Sequence, residues 1–164
     1  MAAHEWDVTT EGGFLACYRA TLPEVYRYTA MLCGHDCALA EDVVQDVYLT
    51  ALGRARDGLL TTLTAGYLCV AARHRHLDRR RSAQREERRL QLVAGAGPDA
   101  SVVRAVPSQL AALPERERTA LVLRYVDDLS VAQVGRELSI STHAAESLLA
   151  RATRRIRQQE VRDA

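Results

Sequence analysis

With 164 residues, the chain is long enough for one ordinary domain or two small ones. Its 48% hydrophobic and 26% charged residues form an ordinary globular composition, which excludes a disordered or fibrous chain. The net charge of +1 hides an uneven distribution: residues 1–66 carry 4 Arg against 9 acids, 67–89 carry 8 Arg against 3, and 148–164 carry 5 Arg against 2. Two separated basic zones predict two contact zones for a polyanion, a solvated helix face being the alternative for an Arg run taken alone. Every cationic residue other than His is Arg. Arg forks onto phosphates and guanine edges, although a GC-rich genome also produces this bias. The start Met1-Ala2-Ala3-His4-Glu5 has no basic or apolar signal region. No apolar run approaches the roughly 18 residues that span a bilayer. A cytoplasmic location with no direct membrane contact is expected, with the four Cys as reduced thiols.

Aromatics make up only 5%, and β-branched runs are few, so an all-α fold is expected. The first helix should run from Gly13 to Leu32, with Phe14, Leu15, Tyr18, Leu22, Val25 and Tyr26 as its apolar stripe and Pro23 as a potential kink. Cys33-Gly34-His35-Asp36 reads as a turn, with Asp36 as N-cap. A second helix follows from Cys37 to Arg56. Leu39, Val43, Val44, Val47 and Leu52 should be buried, and Glu41, Asp42, Gln45 and Asp46 should form an acidic face. Asp57-Gly58 ends it, and Leu59–Thr64 reads as a loop. The third helix, from Ala65 to Leu90, is apolar in its first half and basic from Arg73 to Arg89. Leu92 to Pro107 holds Gly95, Gly97, Pro98 and Pro107 without a helical stripe, and reads as a flexible linker. The expected architecture is therefore two small helical domains, 1–90 and 108–164, joined by a linker at 91–107.

In the second domain, Pro114 fits the first turn of a helix running to Asp127-Asp128. Ser130-Val131-Ala132-Gln133 is a capping box that opens a helix ending near Leu138. After the turn Ser139-Ile140-Ser141, a last helix should run from Thr142 to Gln158. Two helices joined so closely form a helix-turn-helix. Val134, Gly135, Leu138, Ile140, Ala145, Leu149 and Ala152 would be its packed positions. The second helix is thin enough for the major groove, where every base pair shows a distinct pattern. Thr142, His143, Glu146, Ser147 and Arg151 lie on or near its outward face, and Arg154, Arg155 and Arg157 continue it as a basic tail suited to phosphates. An α-hairpin used only for packing is the plainer alternative.

Residues 110–157, LAALPERERTALVLRYVDDLSVAQVGRELSISTHAAESLLARATRRIR, resemble region 4 of the sigma-70 family, in its extracytoplasmic-function group. AEDVVQDVYLTAL at 40–52 and GYLCVAARHRHLDRRRS at 66–82 resemble region 2 of the same group. The resemblance implies an alternative sigma factor that binds core RNA polymerase, recognises the −10 and −35 elements of promoter DNA and promotes melting. An anti-sigma factor is implied as a further partner. Glu41, Asp42, Gln45 and Asp46 would dock on the clamp helices of the polymerase's largest subunit. Loop Leu59–Thr64 and the start of the third helix would capture an unstacked base of the −10 element. Tyr67 stands where the family usually has Trp, and serves either that capture or the core. His74 stands where Asn is usual. Arg73, Arg75, Arg79, Arg80 and Arg81 would hold the backbone of the opening DNA. The last helix would read the −35 element through Thr142, His143, Glu146, Ser147, Arg151, Arg154 and Arg155. Glu146 replaces a usual Lys or Arg. Leu148 replaces a usual Arg, leaving it to touch a thymine methyl or a protein partner.

A stand-alone helix-turn-helix regulator would instead dimerise on a palindrome, and a polymerase adaptor would not read DNA at all. No nucleophile elbow or Gly-rich phosphate loop is present, so no enzymatic activity and no cofactor are expected. Cys33, His35 and Cys37 do not have a usual zinc spacing, and whether they bind metal or sense oxidants stays open. Cys69 is expected in the core, and His74 and His76 on the surface among the arginines.

Overall fold

A computed structural model describes residues 4–34, 36–90 and 108–163. The chain divides into two units, Met1–Thr29 with Ala38–Asp99, and Ala30–Cys37 with Ala100–Ala164. The linker expected at 91–107 and His35 lie outside the described residues. Among the described residues, no helix is long and apolar enough to cross a membrane, and no group of His, Cys, Asp and Glu could hold a metal ion.

The first unit is built on α1 (Glu11–Cys33) as far as Thr29, α2 (Cys37–Arg56) from Ala38 onward, and α3 (Ala65–Leu90). Helix α1 runs through Pro23, but its core face is rotated from the expected stripe. Cys17, Thr21, Val25, Tyr28, Thr29 and Leu32 are buried, whereas Leu15 and Tyr18 are exposed. Two threonines can face the core because their hydroxyls are satisfied locally. Thr21 Oγ1 lies 2.7 Å from the Cys17 carbonyl and 2.8 Å from the Tyr48 hydroxyl, and Thr29 Oγ1 donates to the Val25 carbonyl at 2.8 Å. Val43, Leu68 and Ala72 are fully enclosed beside them. Truncating a Leu such as Leu68 to Ala in such a place costs about 2–5 kcal/mol.

Two short strands, β1 (Trp6–Asp7) and β2 (Thr62–Leu63), pair antiparallel within this unit, with Trp6 opposite Leu63 and Asp7 opposite Thr62. The segment expected to be wholly loop therefore contains a paired strand. Asp57 and Gly58 end α2 as expected, Gly58 taking φ +69°.

The second unit contains α4 (Ser108–Ala111), α5 (Glu115–Leu121), a π-helical turn at Val122–Val126, α6 (Val131–Glu137) and α7 (Thr142–Asp163). Pro114 is the N-cap of α5 rather than its first helical residue. Ser130 and Gln133 close the capping box in both directions, at 3.3 Å to the Gln133 amide and 2.8 Å from the Ser130 amide. Within this unit the buried Arg118 donates to the carbonyls of Leu32, Ala111 and Leu113, and desolvation lowers its pKa. Gly34, at φ +71°, leaves the space that this guanidinium occupies.

Candidate nucleic-acid interface

Helices α6 and α7 meet through a tight turn. Ser139 takes φ +55°, Ile140 N donates to the Gly135 carbonyl at 2.9 Å, and Ser141 Oγ caps α7 through the Ala144 amide at 3.2 Å. A Cβ on Gly135 would stand 3.0 Å from the Ile140 carbonyl oxygen, so a larger residue there would push the turn back by a few tenths of an ångström. Val134, Gly135, Leu138, Ala145, Leu149 and Ala152 are buried as the helix-turn-helix requires, and Ile140 is half-buried.

The opposite face of α7 is open. Thr142, His143, Glu146, Ser147, Arg151, Arg154 and Arg155 are all exposed. His143 Nδ1 lies 3.7 Å from Glu146 Oε2, so the first turns of α7 present a carboxylate and an imidazole rather than an arginine. Arg151 and Arg154 line one shallow depression with Ser147. Arg155 is different: its Nε lies 3.1 Å from Oε2 of Glu117, a buried carboxylate of α5. Leu148 is only 5% exposed, which corrects the expectation that it touches DNA or a partner. It sits three residues after Ala145 and four before Ala152, on the stripe that faces the core.

A cation that the sequence did not single out also borders α7. Arg124, in the π-helical turn, donates to the Leu129 carbonyl at 3.1 Å and lies 3.6 Å from Asp128. It lines a groove with the exposed Tyr125 and with Glu146, Arg154 and Arg157. A π turn shifts the register of the residues beyond it, and such turns concentrate at functional sites.

In the first unit, the four acidic-face residues of α2 separate into two pairs. Glu41 and Gln45 border an apolar groove of about 790 Å³ between α1 and α2, lined by Phe14, Leu15, Tyr18, Leu49 and Leu52 among others. Asp42 and Asp46 instead meet the basic helix α3. Arg79 contacts Asp46 at 2.8 Å and Asp42 at 3.3 Å, and Arg75 contacts Asp46 at 3.1 Å. The hydrogen bond from Arg79 holds the Asp46 carboxyl below its ordinary range, and Arg79 is raised in turn. These groups are largely in water, where such pairs are worth about 0–1 kcal/mol, so a phosphate competes readily for the arginines.

Among the −10 candidates, His74 and Arg75 are exposed, and Arg80 and Arg81 are half-buried, Arg81 pairing with Asp78 at 3.1 Å. Arg73 is 9% exposed and His76 is 1% exposed, which corrects the expectation that both lie on the surface. They follow Leu68 and Ala72 along the buried stripe of α3. Cys69 is half-buried. Tyr67 is 40% exposed, and its hydroxyl accepts from Arg54 at 3.0 Å, so it is a surface residue tied to the end of α2.

A mainly helical fold whose second unit presents an open helix-turn-helix defines a class, that of helix-turn-helix proteins. The sequence family "Sigma-70, region 4" matches residues 104–156, which take in the helix-turn-helix of the second unit. The RNA polymerase sigma factor SigF of Mycobacterium tuberculosis, from strains CDC 1551 / Oshkosh and ATCC 25618 / H37Rv, is 46% identical over 50 residues. That match covers 30% of this chain and only 19% of SigF. The sigma factor RpoE of Bartonella quintana, solved in complex with the anti-sigma factor NepR, shares the fold with a TM-score of 0.54 at 18% identity, over 88% of this chain and 94% of that one. BldN, in the RsbN–BldN complex, aligns with a TM-score of 0.36 at 22% identity, over 90% of this chain and 91% of the solved one.

Proposed function

We propose that the chain is an alternative sigma factor of the extracytoplasmic-function group, which binds core RNA polymerase in the cytoplasm, recognises a bipartite promoter and helps to melt it. The observation that carries this reading is the open face of α7 in a region 4 domain, where Ser147, Arg151 and Arg154 stand together on a helix of groove-sized width. In duplex DNA this face would read the −35 element, Arg151 at base edges and Arg154 at phosphates. Arg75, Arg79, Arg80 and Arg81 on α3 would hold the backbone of the opening strand, with loop 57–64, Tyr67 and His74 beside the unstacked base. The apolar groove flanked by Glu41 and Gln45 suits an amphipathic basic segment of the polymerase. Asp42 and Asp46 extend that acidic edge. The chain itself would make and break no covalent bond and would need no cofactor. An anti-sigma factor is a further expected partner, as NepR is for RpoE.

The test mixes the purified chain with sigma-free core polymerase and a library of promoter sequences, and sequences the transcripts. Start sites that depend on the chain and share two upstream elements are expected. Transcription that does not depend on the chain would overturn the reading.

A further inference from the structure

Of the strand pair β1–β2, only β2 enters the function proposed above, as part of loop 57–64, yet the pair as a whole is heavily anchored. Besides the two-residue ladder, Val8 N donates to the Thr61 carbonyl at 2.9 Å, and Thr62 Oγ1 donates to Glu5 Oε1 at 2.6 Å. Val8, which follows β1, and Leu63 of β2 are 3% and 1% exposed, so buried side chains pin the pair. A ladder this short does not hold by itself in water, and the burial is what keeps it closed. The Asp7 carboxylate accepts from the amide and hydroxyl of Thr9 at 2.9 and 2.7 Å, which fixes the chain as it leaves β1. The Asp7 carbonyl then lies directly against Gly13, where any Cβ would run into it. The second glycine of α1 is thus the seat of the strand.

We propose that Glu5–Val8 is a brace that fixes loop 57–64 in the shape that selects the captured base of the −10 element. This rests on the function proposed above. The far end of the loop is already fixed, since Thr64 caps α3 through the Tyr67 amide at 3.1 Å. Its near end is fixed by the turn at Gly58, where Leu59 N donates to the Arg54 carbonyl at 2.9 Å. The brace removes the freedom that remains between those ends. A pocket for one base discriminates only when its walls are held to about 0.5 Å. The phosphate contacts of α3 do not depend on the loop. Loss of the brace should therefore flatten base selectivity and leave electrostatic affinity in place. The residues of β1 act through the loop as positioning residues.

The experiment uses the full chain with core polymerase on forked promoter templates carrying each of the four bases at each −10 position. The unmodified chain should separate the best base from the worst by about 10-fold or more at the captured position, as one good contact allows. Gly13→Val and removal of residues 1–8 should each reduce that ratio to about 3-fold or less, with the salt dependence of binding unchanged. Thr62→Val, which removes only the Glu5 bond, should fall between. Hydrogen exchange on the same chains supplies a readout independent of DNA: the Leu63 amide, which faces β1 in the ladder, should exchange about 10-fold faster in Gly13→Val. Unchanged selectivity in a variant whose Leu63 amide has become exposed would overturn the brace, as would lost selectivity with that amide still protected. An unmodified chain with no base preference on any template would instead overturn the function on which the brace rests.

Discussion

The Glu117–Arg155 pair offers the sharpest energetic test of how α7 is held. Glu117 is 5% exposed, and Arg155 Nε approaches its Oε2 to 3.1 Å without the alignment of a hydrogen bond, so the attraction is chiefly Coulombic. At an effective dielectric constant of 20, two unit charges at that distance attract by roughly 5 kcal/mol. Desolvation of the carboxylate and the half-exposure of the guanidinium cancel most of this, leaving a coupling of about 1–2 kcal/mol. A double-mutant cycle with Arg155→Met and Glu117→Gln, read by urea unfolding, measures that coupling directly. Arg155→Met alone should destabilise by about 1–2 kcal/mol, and should cost much less once Glu117 is already Gln. A coupling below about 0.3 kcal/mol would refute the argument, and Arg155 would then be an ordinary solvated arginine free for phosphate.

Arg151→Ala should weaken binding to a −35 duplex by about 1–3 kcal/mol in a fluorescence titration, while leaving core polymerase binding unchanged. Ser130→Ala removes the acceptor of the capping box and should cost about 1 kcal/mol in thermal or urea unfolding. Burial pushes the Tyr48 hydroxyl from 10.0 up to about 12, against the opposing bond with Thr21. The unfolded chain gives up that proton near pH 10, so the Tyr48 contribution is intact below pH 10 and drains away as the pH rises toward about 12. An absorbance titration of the tyrosinates should show one group lagging behind the others, and Tyr48→Phe should remove it.

Much of this arrangement was legible in the sequence because strong periodic stripes leave little choice. The bounds of α2 and α3 follow from their apolar stripes, and the helix-turn-helix follows from Ser130, Gln133, Gly135 and Ala145 in their spacing. What escaped has physical causes. The core face of α1 includes Thr21 and Thr29, which count as polar until their hydroxyls find carbonyls one turn back. Arg73 and His76 sit on a buried stripe inside a run of arginines, where composition outweighed period. Leu148 was read from the family's usual Arg, although its distance from Ala145 and Ala152 already pointed inward. A two-residue strand pair has no periodicity, and its one trace in the sequence is the Gly12-Gly13 dipeptide at the start of a helix. The π-helical turn at Val122–Val126, which sets Tyr125 and Arg124 beside α7, likewise follows from tertiary packing and leaves no spacing signal.

The most direct measurement takes one promoter that responds to the chain and replaces its upstream and downstream elements separately, with run-off transcription by core polymerase as the readout. If each unit reads its own element, either replacement should abolish most of the chain-dependent transcript, and Arg151→Ala should mimic only the upstream one. A transcript that survives loss of the downstream element intact would contradict the account, leaving a single DNA-reading unit.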